Sequence, residues 1–266
     1  MVEAPPVLSE EKRGVLPAAL LLAVLLFHAI RCLALFQPVS SLFSEDPLLV
    51  GDYPMHLVSS LLSNDHFDHA RRFWGYESSF CAGWMHPTAL PPSTMALKML
   101  TVALCPPFNA SVLFKLAVFL SAAVSPALFV LGAYWLGQRG WSLLVCAVLC
   151  VLYWWLGLPH RMIKWGVFLY PLVAHGGVMA HGLLAHVSRK PSWRGWTALA
   201  FLWTALVLLH PYGILIVSIP SLVLLSKRWK RAFRWLPLVV AIGLPGAFLS
   251  LKLIWLPTVF FLEVAT

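Results

Sequence analysis

The chain has 266 residues, of which 60% are hydrophobic and 11% charged, with a mean hydropathy of +0.82. Soluble domains carry about a quarter charged residues, and a core of this size cannot hide so much apolar surface from water, so a water-soluble fold is excluded. Nucleic acid is excluded as a partner too, because the net charge of +9 comes from Lys and Arg lying mostly in short segments between apolar runs, the membrane-protein pattern.

Apolar runs at about 15–36, 93–105, 110–136, 141–158, 166–187, 196–225 and 236–256 predict an all-α polytopic transmembrane helix bundle of about seven spans. They form one domain over residues 1–266. A helix needs roughly 20 apolar residues to cross the hydrocarbon core. The first run is longer than the apolar core of a signal peptide and is followed by no small-residue cleavage site. It is expected to be the first span and a signal anchor. The second is short, set between Pro91-Pro92 and Pro106-Pro107, and is expected to be tilted, re-entrant or joined to flanking turns. The sixth contains His210-Pro211 and should kink there.

Charge sets the expected orientation. The strongest cluster is Lys227, Arg228, Lys230, Arg231 and Arg234. Placing it in the cytoplasm with Lys12 and Arg13 exports the long segment 37–92, an external loop expected to hold short interfacial helices. That loop carries Glu45, Asp46, Asp52, Asp65, Asp68 and Glu77. The same count places Asn109, His160, Arg161 and Lys164 inside. It also leaves Arg189, Lys190 and Arg194 outside, against the trend. The five cysteines show no ligand spacing. Cys146 and Cys150, one helical turn apart, read as packing residues.

The external loop holds most of the candidate chemistry. In Gly51-Asp52-Tyr53-Pro54-Met55-His56-Leu57, Pro54 suits a first helical turn and Asp52 stands at the N-cap position. Leu57, Leu61 and Leu62 then form a stripe, as in a short helix lying on the membrane surface. Asp52 is either a cap alone or a general base, metal ligand or sugar ligand, with His56 four residues on to orient it or to touch a phosphate. Arg71 and Arg72 are candidate phosphate contacts, or a solvated loop pair. Tyr76, Glu77, Trp84 and His86 lie in an aromatic stretch that reads as a sugar-binding shelf or as an interfacial aromatic belt.

Within the spans, an ionisable residue at depth such as His210 is a functional candidate by default, or it satisfies a carbonyl freed by Pro211. On the fifth span, His175 and His186 share a face while His181 lies away, so metal-binding spacing is lacking. Gly176, Gly177 and Gly182 there suggest close helix packing. Arg31, near the outer end of the first span, either snorkels to the headgroups or faces a lipid phosphate.

The stretch Gly51-Asp52-Tyr53-Pro54-Met55-His56 after a single span, the aromatic segment Tyr76 to Trp84, and His210-Pro211 in a later span together resemble the C-type (GT-C) membrane glycosyltransferases. The resemblance covers the chain as an amino-terminal helical module. Members of that superfamily are usually longer, so the chain is expected to be a fragment or a reduced relative. The resemblance implies a sugar donor linked to polyprenyl phosphate, with Asp52 as catalytic base or metal-site residue and with a divalent cation as a candidate cofactor. A second acidic motif is represented only loosely, by Asp65 and Asp68 or by Glu45 and Asp46.

The expected function is therefore transfer of a sugar from a polyprenyl-phosphate donor to a lipid, glycan or protein acceptor. It would act at the outer face of the bacterial inner membrane, in contact with membrane lipids. Asp52 and His56 would be catalytic, and Arg71, Arg72, Tyr76, Glu77, Trp84, His86 and His210 would bind substrate. The competing expectations are a transporter or flippase working through His210 and His175, and a non-catalytic membrane subunit.

Overall fold

The computed structural model describes residues 10–70, 75–77, 84–86, 104 and 109–210, with 212, 213, 215, 216 and 218 beyond them. Their regular structure is helical apart from one short ribbon. The helices are α1 (Glu10–Leu33), α2 (Tyr53–Ala70), α3 (Ala110–Leu136), α4 (Gly140–Leu156), α5 (Leu158–Lys164), α6 (Leu169–Arg189) and α7 (Trp193–Leu209). A 3-10 turn, Val39–Phe43, follows α1. The ribbon pairs β1 (Gly75–Glu77) antiparallel to β2 (Trp84–His86). The segments 93–105 and 236–256 and the basic cluster at 227–234 lie outside the described residues, residue 104 apart.

Two of these helices, over Val15–Leu33 and Ala110–Leu136, are long and apolar enough to cross a membrane. A third crossing results if α4 and α5, bent by 45° at their junction, count as one span. Helix α3 follows its sequence pattern closely: the Asn109 side chain caps it by accepting from the backbone N–H of Ser111 at 2.8 Å and of Val112 at 3.3 Å, which satisfies otherwise orphaned donors. Helix α7 stops inside its run. It ends at Leu209, and His210 is extended with φ −160° and ψ 134°. The residue before a proline is pushed out of helical geometry, and Gly213, Leu215, Ile216 and Ser218 beyond it are helical again, so the run 196–225 is interrupted at His210-Pro211, where the kink is expected.

The bundle is built on α3. Its first turns pack with the end of α1 and with α4–α6 through Cys32, Phe36, Phe114, Val118, Trp154 and Ile163. Its far half meets the beginning of α1 and α4 through Leu21, Val24, Val130, Ala133 and Ala147. Helix α6 crosses it where glycine faces glycine. A Cβ on Gly132 would sit 2.6 Å from the Val178 carbonyl, and one on Gly182 would strike the backbone of Gly132. Small residues at such crossings let two backbones touch.

This packing corrects the expected alternation of ends. Lys115, in the first turns of α3, donates to the carbonyls of Ser41, Ser44 and Asp46. Segment 41–53 and residues 109–115 therefore share one end of the bundle, whereas the sequence count put them on opposite sides. Residues 157–168 join them there, because the Asp52 N–H donates to the Trp165 carbonyl at 2.9 Å. The opposite end holds the start of α1 with residues 137–139 and 189–194, where Arg189 donates to the Trp135 carbonyl at 2.6 Å. The discordance of Arg189, Lys190 and Arg194 disappears, since they lie at the same end as Lys12 and Arg13.

Candidate functional site

At the end of the bundle shared by residues 41–53 and 157–168, two glycines bring the chain together. Gly51 (φ +58°) and Gly166 (φ +88°) both adopt left-handed backbone, which side chains disfavour. A Cβ on Gly166 would lie 2.6 Å from the Asp52 nitrogen, and one on Gly51 would collide with the Trp165 carbonyl. The turn before α2 and the turn after α5 are thus in backbone contact. Asp52 sits at their junction, exposed, and its carbonyl accepts the first helical bond, from His56 N–H at 3.2 Å.

Tyr53 locks the junction from beneath. It is buried, packs edge-on against Phe114 at 5.9 Å, and donates its hydroxyl to the Ile163 carbonyl. Burial pushes its phenol well above the usual range, so the hydroxyl remains a donor. A cavity of about 250 Å³ opens beside it, lined by Leu35, Phe36, Val50, Tyr53, Ile163 and Lys164.

His56 is buried, with its ring 5.8 Å from Phe168 in an edge-on contact. It belongs to an inward face of α2 that also includes Ser59, Ser60 and Ser63. The expected stripe of Leu57, Leu61 and Leu62 is corrected: Leu57 is buried but Leu61 is 45% exposed. Asp52 and His56 therefore occupy different environments, one in the open and one in the core. His210 reaches the same end from α7. Its ring lies 5.8 Å from Tyr170 and 5.0 Å from Tyr212, and its Nδ1 accepts the Tyr212 backbone N–H at 3.2 Å. That bond makes Nδ1 an unprotonated acceptor and leaves the proton to Nε2. Phe168 and Tyr170, two residues apart at the start of α6, thus carry His56 on one side and His210 on the other.

Of the other candidates, Arg71 and Arg72 lie outside the described residues. The ribbon makes Glu77 and Trp84 cross-strand partners, and likewise Gly75 and His86, with Tyr76 opposite Met85. His175 stands apart, on the wall of a second cleft of about 390 Å³ between α3, α4 and α6; its Nδ1 lies 2.6 Å from the Pro171 carbonyl. Among the described residues, no three His, Cys, Asp or Glu side chains converge to hold a metal ion.

Two residues that composition and motif reading passed over prove structurally central. Lys115 is 1% exposed, and besides its three carbonyls it bonds the Ser44 hydroxyl at 3.0 Å. His28 is fully buried in α1 and receives the Trp155 indole N–H at 3.2 Å. A cation or imidazole inside an apolar run is the signal that would have found both.

Comparison with known protein families, curated proteins and solved structures finds no match to this chain.

What the site can do follows from its parts. An exposed carboxylate held by backbone on a rigid turn can take a proton from a hydroxyl brought within hydrogen-bond reach. Arg161 and Lys164, exposed on α5, lie within one helical turn before Trp165, where they can attract phosphate oxygens. The apolar cavity beside Tyr53 offers room for the first carbons of a lipid.

Proposed function

We propose that this chain is a membrane glycosyltransferase that moves a sugar from a polyprenyl-phosphate donor to an acceptor hydroxyl or amide. Asp52 acts as the general base. The observation that carries the reading is the backbone clasp between Gly51-Asp52 and Trp165-Gly166. It fixes the carboxylate at one end of an apolar bundle, beside basic residues and an apolar cavity. In the reaction Asp52 takes the acceptor proton as the acceptor oxygen or nitrogen attacks the anomeric carbon. The bond from that carbon to the phosphate oxygen breaks, and the phosphate leaves on the lipid. His56 supports the Asp52 turn from the core side. Arg71 and Arg72 remain candidate phosphate contacts, and Tyr76, Glu77, Trp84, His86 and His210 candidate sugar or acceptor contacts.

A multi-span arrangement in a bacterial inner membrane, with a cytoplasmic amino terminus, belongs to the same proposal. The charge balance between the two ends supports the orientation. Lys12, Arg13, Arg139, Arg189, Lys190 and Arg194 gather at the end where α1 begins, while Glu45, Asp46, Asp52, Asp65 and Asp68 gather at the other. Positive residues are retained in the cytoplasm.

The test is sugar transfer in membranes containing the intact chain and a panel of polyprenyl-phosphate sugars, with Asp52→Asn and His210→Ala beside it. Loss of transfer in Asp52→Asn at normal protein level is expected. Transfer that survives this substitution removes Asp52 as the base, and absence of transfer from every donor overturns the enzyme reading.

A further inference from the structure

The cleft between α3, α4 and α6 holds about 390 Å³, within the range of small-molecule sites. Its walls are almost wholly apolar, with Phe129 from α3, Cys146, Cys150 and Tyr153 from α4, and Ala174 from α6. Leu149 and Tyr153, which also line it, are 60% and 58% exposed. The mouth therefore opens on the flank of an apolar bundle, where molecules dissolved in the bilayer arrive.

One polar side chain interrupts this lining. His175 is 6% exposed, and its Nδ1 is 2.6 Å from the Pro171 carbonyl. A carbonyl oxygen only accepts, so Nδ1 carries the proton and donates it there. The neutral ring then holds a lone pair at Nε2, and among the described residues nothing donates to it. Nε2 is not sealed inside the protein, and the open space beside this ring is the cleft. Phe129, edge-on to the imidazole at 6.2 Å, helps to fix the ring in that orientation.

The lone pair and the walls together select an occupant. A water molecule would find one partner here, where buried water commonly makes about three hydrogen bonds. A plain hydrocarbon tail would match the walls but leave Nε2 unpaired. A hydroxyl on an otherwise apolar body satisfies both. The sulfurs of Cys146 and Cys150, one helical turn apart, and the rings of Phe129 and Tyr153 specify the body further. Sulfur and aromatic edges pack favourably against a flat aromatic ring.

We propose that this cleft binds a membrane-soluble phenol or quinol. Its ring lies among Phe129, Cys146, Cys150 and Tyr153, and its hydroxyl donates to His175 Nε2. The site does not rest on the sugar-transfer reading, since it uses neither Asp52 nor any phosphate contact.

The experiment uses the full chain in nanodiscs of phosphatidylcholine and measures binding by equilibrium dialysis, with empty nanodiscs subtracted for partitioning. The probes are para-hexylphenol, its methyl ether, and dodecanol, which has a hydroxyl but no ring. The phenol is expected to bind in excess, and the ether, which has no proton to donate, about tenfold more weakly. Dodecanol is also expected to bind more weakly than the phenol. His175→Phe keeps a ring and removes the lone pair, so phenol and ether should bind it equally. Ala174→Phe fills the cleft without touching His175 and should abolish binding of both. If His175→Phe does not fold, the ether comparison and Ala174→Phe still decide. An ether as tight as the phenol would overturn the hydrogen bond, and dodecanol as tight as the phenol would overturn the ring. Full binding in Ala174→Phe, or no excess binding by the native chain, would overturn the site. No step reads sugar transfer, so failure here leaves the Asp52 experiment untouched, and the reverse holds as well.

Discussion

His28 in α1 contacts the carbonyl of Ala122 in α3 at 3.0 Å through its Nε2. Ala122 is four residues before Pro126, and a proline has no N–H to give to that oxygen. Since the Trp155 indole can only donate, His28 Nδ1 is the acceptor there and Nε2–H the donor to Ala122. One imidazole thus repairs the gap in α3 and ties α1 to both α3 and α4. His28→Ala is expected to cost about 1–3 kcal/mol by leaving the carbonyl unpaired in an apolar setting. The Pro126→Ala variant restores the helical donor, so adding it should recover part of the loss. Thermal melts of the four proteins in one detergent measure both effects.

Lys115 acts two turns earlier on the same helix. Its ammonium gathers three carbonyls and a hydroxyl from residues 41–46, leaving that segment little freedom ahead of Gly51-Asp52. Lys115→Met keeps most of the apolar stem but strands those acceptors, and should destabilise the protein by about 2–3 kcal/mol. Amide exchange over residues 41–53 is expected to rise well above its rise in α4. Uniform exchange changes would deny Lys115 this local role.

Gly166→Ala tests the clasp itself. The new methyl would meet the Asp52 backbone at 2.6 Å, and left-handed backbone costs a non-glycine residue about 1–2 kcal/mol. Because the obstructing atoms are backbone, they cannot rotate away. The expected outcome is sugar transfer reduced nearly as far as in Asp52→Asn, with the melting temperature lowered by only a few degrees. Wild-type transfer in Gly166→Ala would show that the position of Asp52 does not matter.

On α2, the exposed His69 has its ring nitrogen 2.9 Å from the Asp65 carbonyl and 3.3 Å from the Asp65 carboxylate. The carbonyl bond first, and the negative charge second, hold its pKa above the ordinary value. The protonated form is the favoured one. The contact therefore contributes fully at pH below the unfolded histidine value and is lost as pH rises through the raised midpoint. Histidine ring NMR should place His69 above an unperturbed histidine, and Asp65→Asn should bring it part of the way back.

How much could be read beforehand depended on what kind of force set each feature. The apolar run 110–136 matches α3 residue for residue, because hydropathy and the Asn109 cap agree. The runs at 141–158 and 166–187 lie within three residues of α4 and α6 at either end. The break in the run 196–225 was legible too, since Pro211 interrupts the helix and helical geometry resumes at Gly213. The relation between ends was not readable from charge counting, because it rests on hydrogen bonds such as Lys115 to Ser41 that join residues 74 positions apart. Asp52 was visible as a motif, yet the partner that fixes it, the Trp165-Gly166 turn, looked like an ordinary basic junction. The buried face of α2 escaped notice because it is polar, with His56 and three serines where apolar residues were expected.

The crossing of Gly132 with Gly182 has a consequence of another kind. Because main chain rests on main chain there, α3 and α6 cannot slip past each other by rearranging side chains: any shift in register drives a Cβ into a carbonyl. The pair behaves as a ruler of fixed length, setting the distance from the Asp52 end to the arginines at the opposite end. Any motion of the bundle must then be taken up elsewhere, and among the described residues the 45° joint between α4 and α5, at Gly157, is a natural articulation.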